Sequence, residues 1–258
     1  MYIYSLEHKN YLKKLRKENI IVNVFRVSIL ILFLIIWELL SRYNIINTFL
    51  FSSPSRIINT ILKIDFIKHI GITLYEVFIS FILSTFIGIF IAFIMWRYKI
   101  FSKVIDPYIT IFNSLPKVAL GPLFIIWVGA STKSIIVMAL TISIFTTIIS
   151  VYNGFISVDK NYILLLKSFK ASRLQIFRYV ILPSNILNII STLKINISLS
   201  LIGVIMGELL VSKMGLGYLI MYGSQVFNLD LVICSIFILG IISYIMYMII
   251  YTIEKRLI

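Results

Sequence analysis

Residues 159–183 read DKNYILLLKSFKASRLQIFRYVILP. This polar, basic stretch separates two long apolar runs, at 135–151 and 186–211. A chain turning back between two membrane helices needs only a few residues, so a stretch this long has a purpose beyond a turn. The rest of the chain is greasy. Of its 258 residues, 60% are hydrophobic and 13% charged, and the mean hydropathy is +1.03. That composition lies far outside the range of soluble domains. An apolar run of about 20 residues crosses the hydrocarbon core as a helix. Six runs qualify, at 25–40, 70–95, 104–128, 135–151, 186–211 and 231–251. Strands of a membrane barrel would be shorter and would alternate polar with apolar residues. The expectation is an all-α, multi-pass integral membrane protein with six transmembrane helices and a loop, 153–185, between helices 4 and 5.

Charge gives the orientation. Placing the N-terminus inside puts 15 of the 24 Lys and Arg residues on the cytoplasmic side and six outside, with Arg26, Lys117 and Lys194 inside the apolar runs. This positive-inside bias predicts N-in and C-in. The net charge of +14 is thereby assigned to topology and to membrane lipid, not to nucleic acid. Three parts follow: a basic arm over 1–23, a membrane domain over 24–252 and a tail over 253–258. A polar, basic arm of about 23 residues precedes the first run and no small-residue cleavage site follows, so no cleaved leader is expected. Cys234 is the single cysteine, and His8 and His69 are far apart near span ends. Neither a disulfide nor a metal site is expected.

Within the runs, Ser80, Ser84, Gly88 and Ala92 recur every fourth residue, as do Gly203 and Gly207. Small residues at this spacing let helix backbones approach in a membrane, and they are assigned to helix packing. The third run carries Pro116, and Gly121 with Pro122 invites a break. Irregular backbone at membrane depth is tolerated only when buried in protein or facing water. Asn113, Ser114 and Pro116 are therefore candidates for a translocation pathway, with ordinary proline kinking as the plain alternative. Of the acids near spans, Glu38, Glu76 and Glu208, the last joins the pathway candidates because it adjoins Gly207 on a run rich in small and polar residues. The segment 212–227 is too polar to span and is expected as a re-entrant or interfacial helix.

The quoted stretch divides in two. Tyr162, Ile163, Leu165, Leu166 and Phe169 form an apolar face, with Lys167 and Lys170 opposite. Ser172 followed by Gln175 fits a capping box that starts a second short helix, and Pro183 closes the segment. Such a pair of helices either lies on anionic lipid or docks a cytoplasmic partner.

The stretch resembles the coupling motif of binding-protein-dependent ABC transporter permeases, through Ala171-Ser172-Arg173, Gln175, Phe177, Arg178 and Ile181-Leu182-Pro183. It departs from that pattern at Leu164-Leu165-Leu166, where an acid-Ala-Ala is usual, and at Lys170, which replaces a glycine. Further elements in order, including Ser53-Pro54-Ser55, Asp106-Pro107, Leu115-Pro116, Gly121-Pro122-Leu123, Glu208 and Gly215-Leu216-Gly217-Tyr218-Leu219, look like the nitrate, sulfonate and taurine subgroup, which includes carriers of thiamine-precursor pyrimidines. The resemblance implies a permease subunit of the bacterial cytoplasmic membrane. It implies a second permease copy, an extracytoplasmic solute-binding protein and a cytoplasmic ATPase that would dock on Leu164–Arg173. The chain has no G-x-x-x-x-G-K-[ST] cradle, so ATP would be bound by the partner and no cofactor by this chain. Lys117 and Lys194 near a pathway would suit an anion. An ion-coupled secondary transporter is the alternative; it would call for paired acids at the midplane and a repeat. A membrane-embedded enzyme would need a catalytic set at one depth, which two distant histidines do not supply.

Overall fold

The computed structural model describes the backbone of residues 6–257 and the side chains of residues 11–18 and 20–256. His8, expected near a span end, lies outside the described side chains. The chain divides into two units between Lys63 and Ile64. The first unit holds α1 (Leu6–Arg42), α2 (Thr48–Phe51) and α3 (Pro54–Lys63). No Gly or Pro interrupts α1, and the helix runs without a break through residue 23, the expected end of the basic arm. The Glu38 carboxylate accepts the Arg42 Nε–H at 2.8 Å and the Ser55 backbone N–H at 3.1 Å. An anion is thus held at the N-terminus of α3, where the helix dipole favours it.

The second unit holds α4 (Phe66–Arg97), α5 (Lys99–Ser114), α6 (Gly121–Val128), α7 (Thr132–Ile156), α8 (Lys160–Ser168), α9 (Arg173–Ile176), α10 (Leu182–Ser184), α11 (Ile186–Val211), α12 (Leu216–Gln225) and α13 (Leu229–Leu257). No strand occurs among the described residues. Helices α1, α4, α7, α11 and α13 are long and apolar enough to cross a membrane, and α5 with the segment Lys117–Val128 forms an apolar pair bent by 87°, a sixth span if the pair crosses as one. The protein is an all-α membrane protein, as its composition dictates.

The bend falls at Leu115–Pro116, not at Gly121–Pro122. After Ser114 the chain takes a 3-10 turn over Lys117–Leu120 before α6 begins at Gly121. Pro122 occupies the first turn of α6, where a missing N–H is not needed. Pro116 interrupts the ladder where it would otherwise continue, and the helix stops there.

Helix α7 packs against both α4 and α11. The α4 stripe of Ser80, Ser84, Gly88 and Ala92 is buried. A β-carbon on Gly88 would stand 2.7 Å from Thr147 Cγ2 of α7. On α11, a β-carbon at Gly203 would stand 2.4 Å from the Ala139 Cα, and one at Gly207 would stand 2.9 Å from Ile135 Cγ2. Contacts this short leave room for no side chain. Dispersion between closely approaching backbones is what holds helices together where lipid is as apolar as leucine. A polar pin adds specificity. Asn196 of α11 donates from Nδ2 to Thr85 Oγ1 at 2.7 Å and accepts the Ser84 hydroxyl at 3.0 Å. Lys194 is no free cation: its Nζ meets Glu254 Oε2 of α13 at 2.5 Å, and the ammonium lies near the Tyr247 and Tyr251 rings.

The seam predicts an asymmetry between glycines. Gly203→Ala forces α11 away from the α7 backbone and is expected to lower stability by about 1–3 kcal/mol. Gly240→Ala, with nothing within 4 Å of its added methyl, is expected to be neutral or to stabilise by up to about 1 kcal/mol. Thermal unfolding of the purified protein in detergent measures both. Equal melting temperatures for the two variants would remove the seam as the determinant of packing.

Candidate functional site

Two polar constellations stand at opposite ends of α4, separated by about 42 Å of helix between His69 and Arg97. The first is the loop of the opening sequence. Asp159 caps α8, its Oδ1 accepting the Asn161 N–H at 2.9 Å. Helix α8 ends in a paired turn: the Ala171 N–H reaches Leu166 O at 3.0 Å and the Lys170 N–H reaches Lys167 O at 2.9 Å. This is the Schellman arrangement, which requires a left-handed residue just past the helix end. Lys170 occupies that position at φ +57°. The capping box is formed as well. Ser172 Oγ accepts the Gln175 N–H at 3.3 Å, and Gln175 Oε1 accepts the Ser172 N–H at 2.7 Å. Arg173 then reaches across the fold, donating from Nη1 to Arg97 O at the end of α4 at 3.2 Å.

Beyond α9 the backbone widens into a π turn over Phe177–Ile181 before Pro183 enters the first turn of α10. The widened turn accommodates a proline that has no N–H to give. Phe177 anchors the loop. Its ring meets Phe93 at 4.6 Å, Trp96 at 5.1 Å and Phe155 at 5.3 Å between centroids. Ile163, Leu166 and Ala171 pack on the same cluster, built around Ala92, Val151 and Ile176.

The apolar face of α8 expected from the sequence is packed on one side only. Ile163 and Leu166 turn inward. Tyr162 (60% exposed), Leu165 (56%) and Phe169 (74%) turn outward. Successive helical residues advance by about 100°, so all five positions share one broad arc, with Ile163 at its packed edge and Leu165 at its exposed edge. Leu164 is exposed as well.

The second constellation clamps the start of α12. Three successive amides there each find a side chain. The Gly215 N–H goes to His69 Nδ1 at 3.0 Å, the Leu216 N–H to Thr73 Oγ1 at 2.9 Å and the Gly217 N–H to Glu208 Oε2 at 2.6 Å. The Thr73 hydroxyl in turn donates a hydrogen bond to Glu208 Oε1 at 2.6 Å. His69, at the start of α4, thus meets the Gly215 backbone through Nδ1, which lies 3.0 Å from the amide N and 3.2 Å from the carbonyl O, and its ring stacks on Tyr218 at 6.1 Å. Gly215 has φ +107°, and a β-carbon there would stand 2.3 Å from the Glu208 carboxyl carbon. Only glycine fits both the dihedral and the space. Glu208 is 1% exposed, and Glu76, equally buried, brings its carboxyl beside it. His69 and Thr73 were not singled out from the sequence. Their spacing of four residues, seven with Glu76, was the available signal for one helix face.

The pathway candidates divide accordingly. Ser114 and Pro116 are exposed and Asn113 is half-buried, all at the 87° bend. Asn113 Oδ1 accepts from Lys117 Nζ at 3.0 Å and from Thr146 Oγ1 at 3.2 Å. No carboxylate pairs with Lys117 among the described residues. Glu208 lies apart from this group, committed to the α12 clamp. No group of ligating side chains suited to a metal occurs among the described residues.

Residues 84–258 match the family described as binding-protein-dependent transport system inner membrane component, and the chain belongs to that family of ABC transporter permease subunits of the bacterial cytoplasmic membrane. It is similar to the formylaminopyrimidine transport permease protein ThiX of Halalkalibacterium halodurans, at 26% identity over 216 residues, which cover 83% of this chain and 86% of the relative. It is 32% identical over 146 residues to a probable ABC transporter permease protein of Haemophilus influenzae, covering 57% of this chain and 60% of that one. It is 28% identical over 155 residues to the taurine transport system permease protein TauC of Escherichia coli, covering 60% and 56%. The chain thus spans about three fifths of the Haemophilus and Escherichia relatives. Among solved structures, the inward-facing MetNI methionine ABC transporter matches with a TM-score of 0.67 and 17% identity over 74% of this chain and 95% of that chain. A bacterial ABC transporter that imports alginate matches with a TM-score of 0.66 and 15% identity over 95% and 99%. Both share the fold.

Two outcomes follow from the geometry. Lys170→Gly removes the strain of a side chain in the left-handed region, about 1 kcal/mol, and is expected to raise the melting temperature. A lower one would mean that the lysine side chain stabilises the bend. Glu208→Gln leaves one acceptor oxygen where the carboxylate offers two, so one buried N–H or O–H loses its partner at a cost of about 1–3 kcal/mol. Hydrogen exchange is expected to accelerate at the amides of Gly215, Leu216 and Gly217 while the amides of α7 stay protected; unchanged exchange would show that the clamp does not depend on the carboxylate.

Proposed function

We propose that the chain is the membrane-spanning half of an importer, paired with a second copy of itself, with both termini in the cytoplasm. A cytoplasmic ATPase docks on α8 and the following bend, binding and hydrolysing the ATP that this chain has no cradle for. An extracytoplasmic solute-binding protein docks over the connections at 42–69 and 212–230. The loop residues Leu164, Leu165, Leu166, Lys170, Ala171, Ser172, Arg173, Gln175 and Pro183 form the coupling element. Within it, Leu166 and Ala171 root the loop, Leu165 faces outward, and Leu164 is exposed on the side of Lys160 and Lys167.

The observation that carries this reading is the outward face of α8. Tyr162 and Leu165 of α8 and Phe169 at its end are large, apolar and exposed, beside the Ile163 and Leu166 that pack the helix down. Contiguous exposed apolar side chains on a fixed support mark a protein contact. A loop serving only as a connection would have no reason to hold them there.

Asn113, Ser114 and Pro116 line the solute pathway at the bend of the broken span, and Glu208 supports it by holding α12 in place. The unneutralised Lys117 beside Asn113 favours a small anion, of the sulfonate, taurine or nitrate kind. The likeness to ThiX supports a thiamine-precursor pyrimidine instead. The ligand retained by the cognate binding protein decides between them.

The test replaces the outward face and spares the root. Leu165→Ser with Phe169→Ser is expected to leave the protein inserted and folded and to weaken capture of its ATPase by about tenfold or more, the loss of at least about 1.4 kcal/mol of apolar contact. Co-purification of the tagged permease with the ATPase reads this out. Undiminished capture and transport would sink the assignment of this face.

A further inference from the structure

We propose that the recess between α8, α9 and the turn from α4 to α5 is a binding pocket for the phosphate headgroup of an anionic phospholipid. The recess has a volume of about 390 Å³. Lys160, Ile163, Leu164 and Lys167 line it from α8. Their spacing of i, i+3, i+4 and i+7 makes them one face of that helix. That face points roughly opposite to Tyr162, Leu165 and Phe169, so the recess and the outward apolar face do not compete for the same side chains.

Lys99 and Arg173 complete a set of four cations from three elements, and no acidic residue lines the recess. Arg173 is fixed in place by its bond to Arg97 O, and its remaining guanidinium N–H groups are suited to a phosphate. The walls are not those of a site for a free ion. Trp96, Ile163, Leu164 and Ile176 supply apolar surface, which inorganic phosphate has no use for and a glycerol backbone with its first acyl carbons does. The position agrees. Trp96 and Arg97 are the last residues of the spanning helix α4, and tryptophan with flanking cations at a span end marks the headgroup level. Juxtamembrane basic clusters there attract anionic lipid. The proposal rests on the membrane placement of α4 and not on the coupling role of α8.

The experiment uses the full chain purified in detergent, with retained lipid counted by native mass spectrometry. Phosphatidylglycerol is expected to be retained in preference to phosphatidylcholine. Lys160→Gln with Lys167→Gln is expected to reduce the apparent affinity for phosphatidylglycerol by about thirtyfold, from about 1 kcal/mol per removed charge. Lys160→Arg with Lys167→Arg is expected to retain it, and Lys255→Gln with Arg256→Gln is expected to leave it unchanged. No preference in the parent protein, or a preference that survives the double glutamine change, overturns the proposal. Displacement of the lipid by millimolar inorganic phosphate makes this a free-anion site and overturns the lipid reading. A double glutamine variant that keeps its lipid but loses its ATPase assigns the recess to an acidic protein surface, which also overturns it.

Discussion

Everything in the larger unit depends on how closely α7 approaches α4 and α11. Water is absent from the hydrocarbon region, so burying apolar surface gives no net drive for one helix to choose another over lipid. What remains is contact between backbones, and it is available only where side chains are missing. Gly88, Gly203 and Gly207 provide that, with Thr147, Ala139 and Ile135 seated against them. Once the three helices are fixed at this distance, Asn196 can reach both Ser84 and Thr85. The polar pin is a consequence of the seam: at a longer spacing the same asparagine would be an unsatisfied polar group in lipid.

The seam also determines where both functional ends sit. Helix α4 begins at the α12 clamp, through His69 and Thr73, and ends at the loop, through Phe93, Trp96 and Arg97. Helix α11 begins just after the loop and ends at Glu208. Each end is thus held by the same pair of struts. Packed interiors deform little, and Phe177 ties the loop to α4 and α7 through its contacts with Phe93, Trp96 and Phe155. The aromatic cluster around Phe177 makes the loop part of the rigid body, while the capping box and the Schellman turn keep its two helices at a defined angle.

Much of this was legible in the residues because it is local. Apolar run lengths gave the spans, Ser172 and Gln175 gave the capping box, and four-residue spacing gave the small-residue stripes. What escaped was long-range pairing. Nothing near Lys194 announces Glu254, sixty residues away, and nothing near His69 announces the Gly215 amide, 146 residues away. Pro116 and Pro122 of the third run each remove a donor, yet of the two only Pro116 stops a helix, because a proline disrupts a helix only where its N–H was needed. Gly121 opens a new helix, which puts Pro122 in the one turn where no N–H is needed.

The left-handed lysine at the bend is the point where local preference and tertiary structure disagree. A lysine at φ +57° is strained on its own. It persists because its neighbours over-determine the turn: Leu166 and Ala171 are packed on the core cluster, their backbones are bonded to one another, and Ser172 starts the next helix at once. A strained residue between two fixed points keeps its conformation as long as both stay fixed. The strain is thus borne by contacts outside the turn: the angle between α8 and α9 is fixed by the cluster beneath them and not by the local preference of Lys170.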